Sequence, residues 1–297
     1  MTMSFLHDWV FPLCAATARI STPLIFAAIG GMFSERSGVI NIALEGLMLC
    51  GAFGAAVTAY YFHSPWLGML GGGFSGTLLA VVYAFFVIEC ESDQIVAGTG
   101  INILAAGIPP FIGKIIFDAT GSTPELPQSS RFVGWQPVWL ACMIVLAAWL
   151  WLRRSISGMW VQFAGEHPQA LTAAGIRVRA VRWSAVLMSG LLAGMGGATL
   201  SIYLSSSYSR DMTAGRGFMA LAALIFGKWE PIPALLACLF FGFTDALQAR
   251  LQGVYFHGHE IPVQFIQILP YVVTILVLAG FVGASRPPSS LGKPIDT

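Results

Sequence analysis

The sequence predicts an all-α, polytopic integral membrane protein. Of its 297 residues, 56% are hydrophobic and only 10% are charged, whereas soluble domains usually carry about 25% charged residues. The apolar residues fall in runs long enough to cross a bilayer, which takes about 20 residues per helix. The 33 glycines agree with this class, because small residues let helices pack closely in lipid.

The hydropathy pattern predicts about nine spans in a single transmembrane domain, residues 1–297. Eight or ten spans are the alternatives, because three segments are short or polar. The predicted spans are residues 11–33, 39–62, 66–89, 95–117, 137–152, 184–204, 214–228, 232–249 and 264–284. The segment 214–228 is short enough to be re-entrant rather than spanning.

The orientation follows from the Lys and Arg residues in the connections, which favour the cytoplasmic side. The connection 153–182 carries five arginines and one acid, Glu166, so we expect it in the cytoplasm. The loop 118–136 has one arginine and two acids and is expected outside. Residues 285–297 are expected to form a cytoplasmic, poorly ordered tail. Nine spans then place the N-terminus outside, in agreement with the lack of Lys or Arg before Arg19.

The connection 153–182 contains a short helix signal. Pro168 suits a first helical position and Gly175 suits a helix C-cap, which leaves about two turns between them. A helix that short is marginal in water. It is therefore either an ordinary loop helix held by the membrane domain or a docking helix for a cytoplasmic subunit.

Polar residues inside predicted spans are candidates for a translocation pathway, since burying them in a membrane is costly. Asn41 and Glu45 are spaced i, i+4, which predicts one shared helix face, and Asp245 and Gln248 are spaced i, i+3. The candidates are Asn41, Glu45, Asp93, Gln94, Asn102, Asp245 and Gln248. For each of them the alternative is a buried structural contact between helices. Glu45 and Asp245 are the strongest candidates.

Other polar and aromatic residues are expected to have structural roles. Ser34 to Ser37 fit a cytoplasmic turn in which Glu35 and Arg36 lie at or near water. Trp residues at span ends are expected to be interface anchors. They are Trp66, Trp135, Trp139, Trp160, Trp183 and Trp229.

Glycine patterns predict close helix packing and a weak internal similarity. Gly190 with Gly194, and Gly71–Gly73 with Gly76, each form a face of small residues. The stretches SGVINIALEGLML and AGRGFMALAALIF each combine a Gly-bearing polar turn with a short apolar helix. Interrupted segments in opposite halves of a chain can mark a central pathway.

The sequence contains no recognisable catalytic motif. It lacks G-x-x-x-x-G-K-[ST], H-E-x-x-H and G-x-S-x-G. The run His257-Gly258-His259-Glu260 favours a solvated connection over a metal site. We therefore expect no catalytic residues, metal site or cofactor on this chain, and any energy that it uses must come from another subunit or from an ion gradient.

Three motifs resemble those of one family, the permeases of ABC importers of the ribose and nucleoside type, a branch of the branched-chain-amino-acid-like permeases. SERSGVINIALEGLML is similar to the family's entry motif, and GEHPQALTAAGIRV to its cytoplasmic coupling segment. MTAGRGFMALAALIFGKWEP followed by FGFTDALQARLQ resembles its C-terminal signature. The resemblance runs from about residue 20 to 294 and is greatest to the shorter permease of nucleoside importers.

The resemblance implies a type II importer fold and a set of partners. They are a second permease, identical or homologous, a double-domain ATPase that binds ATP and Mg²⁺, and an extracytoplasmic binding protein that delivers the small-molecule substrate. No nucleic acid is implied. By resemblance, the coupling helix that meets the ATPase comprises Glu166, His167, Pro168, Ala170, Ala173, Ala174 and Gly175. His167 stands where Asn is common in the family, which affects docking contacts rather than the role.

Alternatives remain open at this stage. Ribose or galactose could replace nucleosides as the substrate. An ion-coupled secondary transporter acting alone is a further alternative, for which Glu45, Asp93 and Asp245 would have to bind protons or Na⁺. A membrane-embedded enzyme is disfavoured because no nucleophile, base and metal set is found.

Overall fold

The computed structural model describes residues 10–251, 255–256, 259–260, 268, 272 and 286–293, and most of these residues are helical. The helices are α1 Phe11–Arg36, α2 Leu44–Phe62, α3 Pro65–Ala84, α4 Gln94–Phe117, α5 Gln136–Arg154, α6 Ile156–Glu166, α7 Pro168–Ala173, α8 Val178–Thr199, α9 Arg216–Phe226 and α10 Pro231–Leu251. Wider π-helical turns extend α3 over Phe85–Glu89 and α8 over Leu200–Leu204. Two short antiparallel strands, β1 Tyr255–Phe256 and β2 His259–Glu260, follow α10.

Among the described residues, seven helices are long and apolar enough to cross a membrane. They correspond to seven of the nine predicted spans. The predicted segment 214–228 is the 11-residue helix α9, which at 1.5 Å per residue covers about half of a bilayer core. The predicted ninth span, 264–284, lies outside the described residues except for 268 and 272.

Helix α8 lies at the centre of the bundle, against α1, α2 and α3. Of its most apolar window, 78% is buried, compared with 22% for α4. Glycines make this packing possible. A Cβ added to Gly197 would lie 1.8 Å from the Met48 carbonyl oxygen, and one on Gly194 would lie 2.4 Å from the Gly72 carbonyl oxygen. The predicted close approach of the glycine faces on α3 and α8 is therefore confirmed.

The connections meet at the two ends of the bundle as the orientation argument requires. At one end, the loop after α4 pairs with the loop after α8: Thr123 N donates to Tyr208 O at 3.1 Å, and Leu126 N to Ser206 O at 2.7 Å. At the other end, the Arg179 guanidinium forms an ion pair with Glu91 at 2.9 Å. Connections predicted to lie on the same side are thus adjacent in space.

The expectation of a poorly ordered tail is wrong for residues 286–293. Ser290 N donates to the Gly165 carbonyl at 2.8 Å, and Gly292 N donates to the Gly38 carbonyl at 3.1 Å. The Lys293 carbonyl accepts from the Arg182 guanidinium at 3.1 Å. The terminal position suggested disorder, but the backbone of this segment is held by groups distant in sequence.

Candidate functional site

The Glu45 carboxylate lies at the N-terminus of the half-length helix α9. Its Oε1 accepts from the Gly215 backbone N–H at 2.8 Å, and its Oε2 from the Gly217 N–H at 2.6 Å. The first N–H groups of a helix have no partner within the helix, and an anion is stabilised there. Gly217 is required for this approach, since a Cβ at that position would lie 2.5 Å from Glu45 Cα. The two stretches with weak sequence similarity therefore meet at Glu45.

Segment 37–43, which precedes α2, is not helical. Gly38 adopts φ +94°, and side chains from other helices bind the backbone that follows. The Gln94 side-chain oxygen accepts from Ile40 N at 2.7 Å, and the Tyr83 hydroxyl donates to Ile40 O. This mostly buried part of the chain lacks helical hydrogen bonds, and side chains from other helices supply partners for its backbone.

Asn102 has the same kind of role at the start of α2. Its side-chain oxygen accepts from Gly46 N at 2.8 Å, and its amide donates to Ile42 O at 3.0 Å. For Gln94 and Asn102, the alternative interpretation as structural contacts agrees with the observed hydrogen bonds.

The prediction that Asn41 and Glu45 share one helix face is wrong, because α2 begins at Leu44. Asn41 lies in the non-helical segment, is fully buried, and donates from its side chain to Ser189 Oγ at 2.7 Å. Its Oδ1 is buried without a hydrogen-bond partner. The two side chains therefore reach different neighbours, α8 for Asn41 and α9 for Glu45.

The remaining three candidates are separate from this cluster or at its edge. Asp93 is exposed and caps α4, accepting from Ile95 N and Val96 N, both at 2.9 Å. Asp245 and Gln248 lie on the single helix α10, where their i, i+3 spacing puts them on one face, and both are half-buried. Asp245 interacts electrostatically with Arg216.

Arg216 is a residue that the sequence analysis did not select. It is the first residue of α9, is half-buried, and donates to the Met212 and Thr213 carbonyls at 3.2 and 3.4 Å. Its neighbours are an acid on α2, which caps the same turn, and an acid on α10. The signal in the sequence was an arginine between two glycines at the start of an apolar helix.

The segment leading into α9 packs against the loop after α4. Tyr208 is 2% exposed, its ring meets the Phe53 ring edge-on with centroids 5.3 Å apart, and its backbone N–H donates to Thr123 Oγ1 at 3.0 Å. Burial raises the pKa of the Tyr208 hydroxyl above its ordinary value. This segment is thus packed against α2 and the loop after α4.

The predicted short helix of the connection 153–182 is present as α7. It begins at Pro168 and ends in a Schellman motif, in which Gly175 N donates to Thr172 O at 3.0 Å and Ile176 N to Leu171 O at 2.9 Å. Gly175 has φ +77°. Of the predicted coupling residues, Pro168 is half-buried, and the following are exposed: Glu166, His167, Ala170, Ala173, Ala174 and Gly175. Leu171 anchors the helix to the body and is 4% exposed.

The expectation that Glu35 lies at or near water is wrong, and so is the expectation that Trp229 is an interface anchor, since both are buried. Helix α1 continues to Arg36, and Glu35 is 3% exposed. The Trp229 indole N–H donates to Glu35 Oε2 at 2.5 Å, and Arg36 Nε donates to the Trp229 carbonyl at 2.8 Å. A hydrogen-bond partner 194 residues away allows the carboxylate to be buried.

The described side chains form no group of three or more His, Cys, Asp or Glu that could hold a metal ion. His257 and Gly258 lie outside the described residues. Two apolar clefts of about 360 and 400 Å³ lie between α1, α5 and α8 and between α2, α3 and α4, and neither is lined by a pathway candidate. The polar cluster around the start of α9 consists of Glu45, which binds two backbone N–H groups, Arg216, and Asp245, which interacts electrostatically with Arg216.

A spanning bundle that encloses an interrupted half-helix is the architecture of a membrane transport subunit. The chain belongs to the family described as the permease component of the branched-chain amino acid transport system, whose family model matches residues 13–278.

Curated relatives match nearly the whole chain. The nucleoside ABC transporter permease NupC of Lactococcus lactis is 38% identical over 297 residues, which cover 92% of each chain. The guanosine ABC transporter permease NupQ of Bacillus subtilis is 36% identical over 304 residues, which cover 94% of each chain. A Haloferax volcanii permease provisionally named for glucose, TsgC13, is 34% identical over 257 residues, covering 82% of this chain and 78% of the relative.

A solved structure shares the fold. It is an inward-facing conformation of a metal-chelate type ABC transporter, with a TM-score of 0.50 and 15% identity, covering 93% of this chain and 88% of that one. The all-α fold of an ABC permease predicted from the sequence is therefore confirmed.

Proposed function

We propose that this chain is the transmembrane permease subunit of an ATP-binding-cassette importer for nucleosides, in the cell membrane of a prokaryote. The observation that carries the proposal is the 36–38% identity, over more than nine-tenths of the chain, to two permeases named for nucleoside and guanosine transport. The chain contributes the pathway and no ATPase site, and a partner subunit hydrolyses ATP.

The proposed partners are a second permease, a double-domain ATPase and an extracytoplasmic binding protein. The exposed face of α7 supports the contact with the ATPase, because its alanines, together with Glu166 at the end of α6, leave an exposed surface that a partner can cover. Five arginines in the connection 153–182 support a cytoplasmic position for this face. The tail residues 286–293 then lie on the same side, against the coupling segment.

The proposed pathway passes the start of α9. Glu45, Arg216 and Asp245 bring charged groups to partly buried positions there, and polar groups inside a membrane domain most often line a substrate route. Nucleosides carry hydroxyl groups and base edges that can hydrogen-bond with such groups. Two apolar clefts of the described residues carry none of the candidates, and a further one, between α3 and α4, is lined by Asp93. We infer that a second permease completes the polar route.

Simple sugars are the second candidate substrate class, supported by the similarity to TsgC13. The test is uptake of a labelled nucleoside by proteoliposomes that contain the whole transporter. ATP is supplied on the side of the membrane that carries the ATPase, and the binding protein on the opposite side. We expect ATP-dependent uptake that excess unlabelled nucleosides abolish and that ribose or galactose leave unchanged. Uptake that ribose or galactose block, with no effect of nucleosides, would assign the transporter to sugars instead.

A further inference from the structure

Helix α9 is separated from the rest of the chain by strained backbone at both ends. Before it, Asp211 and Ala214 have φ +55° and +45°, and after it Lys228 and Trp229 have φ +52° and +56°. None of the four is a glycine, so each left-handed conformation is unfavourable and persists only where the surroundings enforce it. Such positions are found in switch regions. Helix α9 is therefore a short helix with a strained connection at each end.

The N-terminal end of α9 is held by the contact with Glu45 described above. Two backbone N–H groups of α9 are bound by one carboxylate on α2. Any shift of α9 along or about its axis must change these two hydrogen bonds. Any movement of the N-terminal end of α9 therefore takes place within the polar cluster of the proposed pathway.

The C-terminal end of α9 is held by Trp229. Its indole N–H donates to Glu35 at 2.5 Å, its carbonyl accepts from Arg36 Nε at 2.8 Å, and only 5% of the residue is exposed. Arg36 also donates to the Gln162 side-chain oxygen at 3.4 Å, and Gln162 donates to the Leu152 carbonyl at 2.7 Å. Gln162 lies on α6, which leads directly into α7.

A continuous chain of contacts thus joins the coupling segment to the pathway: α6, Arg36, Trp229, α9 and Glu45. The second connection from the coupling segment, through Ser289 and Gly292 of the tail, leads instead to the segment before α2. Of these two hydrogen-bonded routes among the described residues, the one through Trp229 contains a helix with strained backbone at both ends. A discrete element that can adopt two positions is what physical coupling requires.

We propose that Trp229 is a positioning residue that passes movement of the coupling segment to α9. The N-terminal end of α9 then shifts against Glu45 when the ATPase closes. This inference rests on the proposed function, because it assumes that ATP drives the coupling segment. Trp229 does not touch substrate in this account; it acts through α9.

The decisive variant is Trp229→Phe, which keeps an aromatic ring but removes the N–H that Glu35 binds. Trp183→Phe is the matched control. The Trp183 indole also donates to a glutamate, Glu89, at 2.7 Å, but this pair joins α8 to the end of α3 and does not involve α9. Glu35→Met, which removes the acceptor of the same hydrogen bond at a similar side-chain length, replaces Trp229→Phe if that variant does not assemble.

The readout is maleimide labelling of Phe218→Cys, which is on α9 and 48% exposed, in a background where the exposed Cys14, Cys90 and Cys142 are serine. The assembled transporter is labelled without nucleotide and after trapping with ATP and vanadate. We expect the labelling rate to differ severalfold between the two states in the parent and in Trp183→Phe. In Trp229→Phe the difference should disappear, and uptake per ATP hydrolysed should fall about two- to tenfold, the size of one lost hydrogen bond.

Two results would overturn the proposal. One is a labelling rate at position 218 that is the same in both states of the parent, because α9 would then be static. The other is a Trp229→Phe complex with the parent's state-dependent labelling and uptake per ATP. A parent complex that shows no ATP-dependent uptake at all would remove the proposed function itself, which is a distinct outcome.

Discussion

The replacement Glu45→Gln tests the role of Glu45 as the cap of α9. The two carboxylate oxygens each accept one backbone N–H, from Gly215 at 2.8 Å and from Gly217 at 2.6 Å. A glutamine offers one oxygen and one NH₂ group, so one of the two helix N–H groups loses its acceptor. Losing a hydrogen bond to a charged group costs about 1.5–3 kcal/mol. Because about 1.4 kcal/mol is a factor of ten, local opening at the start of α9 should become about ten- to a hundredfold more frequent.

Hydrogen–deuterium exchange of peptides covering residues 213–219, followed by mass spectrometry, measures this opening. Asp93→Asn is the matched control. A single oxygen of Asp93 accepts both N–H groups at the start of α4, and asparagine keeps such an oxygen. We expect faster exchange at the start of α9 in Glu45→Gln and nearly unchanged exchange at the start of α4 in Asp93→Asn. Exchange at 213–219 that equals the parent's in Glu45→Gln would refute the capping argument. Nucleoside uptake should fall in the same variant while the transporter still assembles.

Three further substitutions have definite expectations. Gly197→Ala places a Cβ 1.8 Å from the Met48 carbonyl oxygen and should prevent assembly, whereas Gly100→Ala, with nothing within 4 Å of the added Cβ, should not. The yield of monodisperse protein in size-exclusion chromatography compares the two variants. Equal yields would contradict the close packing at Gly197. Gly175→Ala forces a non-glycine residue into φ +77°, at a cost of about 1–2 kcal/mol, and should lower uptake per ATP without lowering yield; an unchanged ratio would remove α7 from the coupling role. Asn102→Ala removes both hydrogen bonds to the backbone leading into α2 and should lower the melting temperature by several degrees, which scanning fluorimetry would detect.

Hydropathy was sufficient to predict the long helices, because a span requires a continuous apolar run whatever its neighbours are. It failed where the backbone is held by distant residues. Val39 and Ile40 are apolar and extended the predicted second span, yet the helix begins only at Leu44. Gln94 and Tyr83 bind this backbone from α4 and α3, and nothing in the local sequence indicates that they would.

The candidate site was only partly predictable, because its side chains are also bound by partners distant in sequence. A carboxylate in an apolar segment was enough to select Glu45, but its partner, the start of α9, became visible only in three dimensions. Glu35 was assigned to a surface turn because serine and arginine surround it, and it is buried because Trp229 supplies a donor. The sequence shows which groups are costly to bury, but not which distant group offsets the cost.

The α7 helix, in contrast, was predictable residue by residue. Proline at a first helical position and glycine after the last turn act through local backbone geometry alone, and both are found where the pattern placed them. Its contact with an ATPase depends on another chain and stays a prediction.

The central claim is that this chain moves nucleosides only as one subunit of an ATP-driven complex. The most direct measurement compares two sets of proteoliposomes, one holding the purified chain alone and one holding the chain with its second permease, ATPase and binding protein. We predict uptake of labelled nucleoside in the complete set with ATP, and none in the chain alone under an imposed proton or Na⁺ gradient. Gradient-driven uptake by the chain alone would contradict the account and identify an ion-coupled transporter.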